Sequence, residues 1–269
     1  SGSLYCGKGQ ANWPVDQLTA NAAKPSTVRS TPMQGISEIQ KDLSSYTLKN
    51  LAIFAMFFDH IFAVFVPQDS LEGVALRILG RIAAPIMCYM IAEGYHYTSN
   101  LKKYIVRLAL FAAVSHFPYV WYFGLPWWQA TSVIWGLALG LVALAAAKRE
   151  DWSHPLKVFI VLICCLLAVP ADWNYVAVLW ILFFGLFRGQ IEKQLLSFAI
   201  IGILFHIIPS IKEIGWTQSY QIGIFLAMPL LLFYKGRQGK KSNLMKWGFY
   251  VFYPFHLLLL ELVKMIVSA

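Results

Sequence analysis

Nine apolar segments follow one another along this chain, and they constrain its fold more than any other feature. They lie at about 48–66, 73–95, 103–123, 129–147, 156–171, 174–187, 194–210, 218–234 and 247–267. Segments that are apolar all round predict helices in lipid, where every backbone polar group must be bonded internally, and they lack the alternation of barrel strands. The sequence therefore predicts an all-α bundle of about nine transmembrane helices, or ten if one of them is broken. For residues 156–187 the sequence predicts either a hairpin of two short helices or one span followed by a re-entrant segment.

The composition places these segments in a lipid bilayer. Hydrophobic residues make up 58% of the chain and charged residues only 13%, which is about half of the roughly 25% typical of soluble domains. A soluble domain with this composition would expose large apolar patches, so the sequence predicts an integral membrane protein. Cys6, Cys88, Cys164 and Cys165 have no metal-ligand spacing. We therefore expect neither a structural disulfide nor a metal site.

Basic residues gather in every second connection between the apolar segments. The connections near residues 100, 150, 190 and 240 hold most of them, whereas PQDSLEG, GLPWWQ, VPADWN and SIKEIGWT carry only Lys212. Basic connections of helical membrane proteins face the cytoplasm. The alternation predicts an odd number of spans, with the N-terminus in the cytoplasm and the C-terminus on the opposite side. It also accounts for the net charge of +9 without a nucleic-acid partner.

The chain begins with a polar stretch over residues 1–45 that is rich in Ser, Pro, Gln and Asn. We expect this stretch to be a flexible cytoplasmic extension before a transmembrane domain over 46–269. It lacks the apolar core of a signal peptide. Because residue 1 is Ser and the first Met is Met33, we interpret part or all of 1–32 as an addition to the natural sequence.

Asp59 and His60 lie side by side near the end of the first apolar segment. A charged acid inside a membrane helix costs roughly a few kcal/mol, so such groups are kept where they face a bundle interior or a water-filled cavity. His60 lies ~16 Å along the helix from the cytoplasmic Lys49, and adjacent helical residues point ~100° apart. We predict that His60 faces a cavity as a general base while Asp59 anchors a neighbouring helix. The alternative is a polar pair that serves only helix packing.

Four further polar residues are candidates for the same cavity. Arg81 needs an anionic partner, and the candidates are Asp59, Glu93 and a bound anion. The alternative to a role in the cavity is an ion pair that only holds the bundle together. Glu93 ends its helix near the cytoplasmic face. The alternative is that its charge reaches solvent there and has no role in the cavity. His256 follows a proline in the last segment. The alternative to a cavity role is a core histidine that is hydrogen-bonded to a backbone carbonyl. Asp172 lies at the outer interface and alternatively caps the next helix.

No short catalytic motif accompanies these residues. The sequence contains no phosphate-binding loop, no GxSxG, no HExxH and no CxxC. An enzymatic function would thus depend on dispersed polar residues within the membrane. From the residues alone, a transporter that relays protons through Asp59, Glu93 and the histidines and a membrane transferase explain the pattern equally well.

Several short motifs follow one another along the chain over about 45–269. They are Leu48 to Met56 with Asp59-His60, Leu76-Arg77 with Gly80 to Ala83 and Pro85, Ala92 to Tyr95 with Thr98 to Asn100, Lys103-Tyr104 with Arg107-Leu108, Ser115 with Pro118-Tyr119, Leu230 to Arg237, and Phe249-Tyr250 with Tyr253-Pro254 and His256-Leu257. In this order they resemble the motifs of the TraX family. The chain departs from the family pattern at Ala84 and His116, where Phe and Gln are frequent. The acceptor could therefore differ from that of the family's founding protein.

The resemblance implies an enzyme of the bacterial inner membrane with a multi-helix membrane acyltransferase fold. It would move an acetyl group from acetyl-CoA to an extracytoplasmic acceptor, such as the N-terminal amine of a pilin or a surface glycan. The C-terminus would then lie in the periplasm. A non-catalytic pilus assembly factor and the proton-coupled transporter are the alternatives.

The resemblance also implies roles for the polar residues. By position, His60 would be the general base or a transient acyl carrier, and Asp59 would orient it and balance its charge. Arg81 would hold the thioester, the CoA phosphates or a structural carboxylate. Lys102, Lys103 and Arg107 at the cytoplasmic mouth would attract the CoA phosphates, unless they serve only membrane topology. Glu93, Asp172 and His256 would complete the cavity.

Overall fold

A computed structural model of the chain describes residues 43–67, 70–239 and 243–268. Nearly all of the predicted N-terminal extension, including Cys6 and the segment interpreted as an addition, lies outside the described residues. The described part is all-α, as predicted. Within it, extended pairing is limited to two isolated bridges, one between Leu43 and Tyr234 and one between Thr131 and Ala171.

Eleven α-helices occur in the described ranges. They are α1 (Ser45–Phe65), α2 (Leu71–Gly80), α3 (Ala83–Tyr97), α4 (Leu101–Tyr122), α5 (Val133–Ala147), α6 (His154–Leu167), α7 (Asn174–Leu186), α8 (Ile191–Gly202), α9 (Ile208–Ile214), α10 (Ala227–Leu232) and α11 (Asn243–Ser268). A π-helical turn over Ile203–Ile207 joins α8 to α9, and a 3₁₀ helix over Trp216–Leu226 leads into α10. Each of the nine predicted segments contains helical structure, and 156–187 forms the hairpin of two short helices.

Five helical stretches of the described chain are long and apolar enough to cross a membrane. They are Ser45–Phe65, Leu71–Tyr97, Leu101–Tyr122, Ile191–Ile214 and Trp247–Val267. The helices α5, α6 and α7 are apolar but shorter. The outward face of α4 shows the pattern expected next to lipid, because a stripe of large apolar side chains at helical spacing is about half exposed or more. This stripe consists of Val106, Leu110, Val114, Phe117 and Trp121.

The second stretch is broken where it meets the first helix. The chain turns at Arg81 and Ile82 between α2 and α3, since Pro85 has no N–H to bond the carbonyl of Arg81. Gly80 ends α2 directly against α1, and a Cβ at this position would overlap the side chain of Asp59. The absence of a side chain at Gly80 therefore lets the two helices approach closely at the acidic residue.

The centre of the bundle is formed by α3, α5 and α7, which pack against one another. The helices α1, α4 and α11 enclose one side of this centre, with α11 in contact with both α4 and α1. Trp180, Phe184 and Phe198 are among the largest fully buried side chains. A space remains between this packed centre and the three enclosing helices, and it holds the candidate site.

Candidate functional site

A cavity of about 1020 Å³ extends through the described part of the bundle. Ligand pockets are typically ~300–1,000 Å³, so this cavity has room for a large ligand. One end is formed by the starts of α1, α4 and α11 and by the end of α3, with Lys49, Asn100 and Tyr250 on the wall. The other end is formed around His60 and Asp172. The cavity thus joins two chemically different regions.

His60 on α1 meets His256 on α11 at the second end of the cavity. Nδ1 of His60 lies 2.7 Å from Nε2 of His256, and both residues are buried. The two ring planes differ by only 1° and the ring centroids are 5.0 Å apart. This geometry places the hydrogen bond in the plane of both rings. The two histidines were predicted separately, and the fold brings them into direct contact.

The partners of the two rings fix which nitrogen of His60 is free. Nδ1 of His256 lies 2.9 Å from the carbonyl oxygen of Phe252, which can only accept a hydrogen bond, so this nitrogen carries the proton. In a neutral ring Nε2 of His256 is then an acceptor, and Nδ1 of His60 must donate to it. His60 is left with an unprotonated Nε2, which has no hydrogen-bond partner among the described residues. A lone pair on a cavity-lining histidine is what a general base requires.

Asp59 serves the neighbouring helix α2 and not His60. Its carboxylate is paired with Nη2 of Arg81, and its Oδ1 lies 3.6 Å from Nε of Arg77. The ring of Tyr220 covers both guanidinium groups, with centroid distances of 4.0 Å to Arg77 and 5.3 Å to Arg81. The angular separation of Asp59 from His60 is therefore as predicted. In this structure the side chain within hydrogen-bond distance of His60 is that of His256 and not that of Asp59.

Asp172 lies in the connection between α6 and α7, and its side chain is open to the cavity. A backbone bridge holds this connection, because the N–H of Asp172 donates to the carbonyl of Thr131 at 3.0 Å. Protein surrounds the carboxyl group, which raises its pKa by desolvation, while the nearby Arg81 and Arg77 act in the opposite direction. Asp172 thus lines the same cavity as His60, for which the sequence analysis had named it as a candidate.

Glu93 lies at the other end of the cavity and is held by a salt bridge. Its Oε1 accepts a hydrogen bond from Nε of Arg188 at 2.7 Å, and the hydroxyl of Tyr234 donates to Oε2 at 3.3 Å. Glu93 is buried, so the alternative that its charge reaches solvent is wrong. This pair ties the end of α3 to the connections after α7 and α10.

Three cations lie on the cavity wall at the same end as Glu93. They are Lys49 on α1 and Lys103 and Arg107 on α4. Within the described ranges no carboxylate lies within 4.0 Å of any of the three. Lys49 and Arg107 are close enough to repel each other, and Nε of Arg107 is buried without a hydrogen-bond partner among these residues. Such a group of unpaired cations favours an anionic ligand.

Two details of this end differ from the sequence prediction. Lys102 is exposed and does not line the cavity, because the residue next to Lys103 on a helix points to another face. Lys49 lines the cavity instead, although the sequence analysis used Lys49 only to mark the cytoplasmic end of the first helix. Its spacing from His60 on one helix was the signal that both residues address the same cavity.

A helical membrane protein with a large cavity that several ionisable residues line is the class that this fold and site define. The chain belongs to the TraX family, because the family model described as TraX protein matches residues 44–264. Its sequence is 29% identical over 242 residues to a protein of Dichelobacter nodosus described as "Probable fimbrial assembly protein FimC, serogroup H1". That alignment covers 83% of this chain and 97% of the relative. No solved structure matches the chain.

Proposed function

We propose that this protein is an integral membrane acetyltransferase that moves an acetyl group from acetyl-CoA to an extracytoplasmic acceptor. The observation that carries the proposal is a cavity of the described bundle that has unpaired cations at one end and the free Nε2 of His60 at the other. An acyl-CoA has the matching layout, with phosphates at one end and a reactive thioester at the other. Membership of the TraX family supports the same reaction.

The donor would bind with its phosphates between Lys49, Lys103 and Arg107. The aromatic rings of Tyr104 and Tyr250 already pack on the guanidinium of Arg107, at 5.2 and 5.0 Å, and such rings offer stacking surfaces for an adenine. Lys49 and His60 are about 16 Å apart along α1. The pantetheine arm is about as long as four to five extended residues, or roughly 16 Å. The thioester would therefore reach His60.

The transfer follows from the tautomer of His60. The acceptor nitrogen or oxygen attacks the thioester carbon while Nε2 of His60 takes its proton, and the carbonyl electrons move onto oxygen. The intermediate then collapses, the C–S bond breaks, and the CoA sulfur leaves as a thiol with the proton from His60. His256 stabilises the transient imidazolium, since its Nε2 accepts from Nδ1 of His60 throughout.

The acceptor would enter from the side opposite to the cations. The nine apolar segments and the alternation of basic connections support nine spans in the bacterial inner membrane, with the start of α1 at the cytoplasm and the end of α11 at the periplasm. Acetyl-CoA would then enter from the cytoplasm. The fimbrial name of the relative supports the N-terminal amine of a pilin-type protein as acceptor, and a surface glycan is the second choice.

Binding and turnover of acetyl-CoA by the purified protein test the proposal. We expect acetyl-CoA to raise the melting temperature in detergent by mass action, and CoA thiol to be released when a peptide with a free N-terminal amine is added. N-acetylglucosamine serves as the hydroxyl acceptor in a parallel reaction. A folded protein that shows no stabilisation at millimolar acetyl-CoA and no thiol release would contradict the proposal.

Removing the cations at the cavity mouth is expected to weaken donor binding selectively. Replacing Lys49 or Arg107 by Ala should raise the Kd for CoA about 10–100-fold, because a hydrogen bond to a charged group contributes about 1.5–3 kcal/mol. Lys102→Ala is the matched control, since this exposed neighbour lies off the cavity wall. Calorimetric titration with CoA and with pantetheine, which lacks the phosphates, measures the difference. Equal losses in Lys102→Ala would show that only the overall surface charge matters.

Replacing His256 tests whether it orients His60. His256→Ala should lower kcat by at least about 10²-fold, while the KM for acetyl-CoA stays unchanged, because the tautomer of His60 is no longer fixed. His256→Gln should recover part of the activity, since its amide oxygen can accept from Nδ1 of His60. The pH profile of kcat should differ between the two variants. Identical profiles and rates for Ala and Gln would reduce His256 to a packing residue.

A non-catalytic role in fimbrial assembly is the second candidate function, and the name of the relative favours it. The two functions separate in an assembly assay. If the protein acts only as an assembly factor, a folded His60→Ala variant should restore fimbriae as well as the wild type does. Loss of both fimbriae and pilin acetylation in this variant would favour the enzyme.

A further inference from the structure

Tyr253 is the buried cavity residue to which the sequence analysis and the mechanism above give no role. It lies on α11 one turn before His256, lines the cavity and is only 3% exposed. Its ring centroid is 6.1 Å from that of His60 and 5.5 Å from that of His256. Tyr253 therefore lies beside the two histidines at the same end of the cavity.

The hydroxyl of Tyr253 is buried and has no hydrogen-bond partner of normal geometry among the described residues. It faces the backbone N–H of Val133, the first residue of α5. The positive end of a helix makes a nearby phenol a stronger donor. A buried hydroxyl without a partner costs about 1–3 kcal/mol in a folded protein, so it is an unusual choice for packing alone. The O–H itself has no acceptor among the described residues.

We propose that Tyr253 is a catalytic residue that donates its O–H to the acyl oxygen of the donor and stabilises the oxyanion. This inference rests on the acetyltransferase function proposed above. When the acceptor attacks, the negative charge on the acyl oxygen is held by the Tyr253 hydroxyl, and the proton stays on the tyrosine. His60 takes the acceptor proton from the other side. The hydrogen bond strengthens as charge develops, so it lowers the barrier more than it tightens ground-state binding.

The substitution Tyr253→Phe tests this role, because it removes only the oxygen. We expect kcat for thiol release from acetyl-CoA to fall about 10²–10³-fold, with the Kd for CoA and the melting temperature close to those of the wild type. The matched control is Tyr119→Phe, a buried tyrosine near Tyr253 that does not line the cavity. It should retain the kcat of the wild type.

A fluorinated tyrosine at position 253 provides a second measurement that does not depend on the stability of the Phe variant. Fluorination makes the phenol a stronger donor while keeping its shape, so kcat should be retained or rise and its pH profile should shift. Wild-type kcat in Tyr253→Phe, or the same kcat and pH profile with tyrosine and fluorotyrosine, would overturn the role of Tyr253 alone. A wild type that transfers to neither the peptide nor N-acetylglucosamine would overturn the proposed function, and the role of Tyr253 with it.

Discussion

Replacing His60 by Ala is expected to lower the rate of acetyl transfer about 10²–10⁴-fold, which is the usual contribution of a general base. The variant loses the Nε2 that would take the acceptor proton. The donor site at the far end of the cavity stays intact. Acetyl-CoA should therefore still raise the melting temperature of the variant, and single-turnover thiol release measures the lost chemistry.

The matched control for this experiment is His154→Ala. His154 is an exposed histidine at the start of α6 and lies off the cavity wall, so its loss should leave the rate unchanged. A His60→Ala variant that is folded, binds acetyl-CoA and transfers acetyl at the wild-type rate would contradict the assignment of His60 as the base. An acyl-enzyme at His60 would instead be detected as an acetylated protein after rapid quenching.

Replacing Asp59 by Asn should have the largest effect on stability, because it removes the carboxylate that is paired with Arg81 and lies 3.6 Å from Nε of Arg77. Both arginines are only 8% exposed, and an arginine does not lose its charge to escape burial. Removing one partner of a buried ion pair destabilises a protein by about 3–5 kcal/mol. Thermal unfolding in detergent should show a clearly lower melting temperature.

The exposed pair of Arg149 and Asp151 offers the control, since it has the same type of contact at 2.8 Å and both side chains are more than half exposed. Asp151→Asn should change stability by less than about 1 kcal/mol. Combining Asp59→Asn with Arg81→Met should recover part of the loss, because one uncompensated charge is removed. Equal effects of Asp59→Asn and Asp151→Asn would show that the buried cluster does not hold α1 against α2.

The helices were predictable because their signal is local. Long apolar runs must form helices in lipid wherever they lie in the chain, and each of the nine predicted segments contains helical structure. Residues 73–95 were predicted as one segment, and the break at Arg81 follows from Pro85, which removes a hydrogen bond four residues earlier. The 3₁₀ geometry over Trp216–Leu226 was not predicted. The apolar pattern of this segment is compatible with either an α-helix or a 3₁₀ helix. In the structure the 3₁₀ helix packs against α2.

The candidate site was predictable residue by residue but not as an arrangement. His60 and Asp59 were identified as candidate site residues because ionisable groups are rare inside membrane helices. The same reasoning identified His256, but a separation of 196 residues from His60 gives no sign that the two rings touch. Lys49 and Lys102 are both basic residues near the cytoplasmic end. Only the direction of each side chain decides which of them faces the cavity.

The sequence by itself determined that this is a helical membrane protein with a few ionisable residues kept inside it, because hydrophobicity and the energy of a charge in lipid depend on residue type. Only the tertiary structure decided how those residues are paired. It joined Asp59 to Arg81, Glu93 to Arg188 and His60 to His256, since hydrogen bonds depend on distances between helices that are far apart in the chain. The free Nε2 of His60 follows from that pairing.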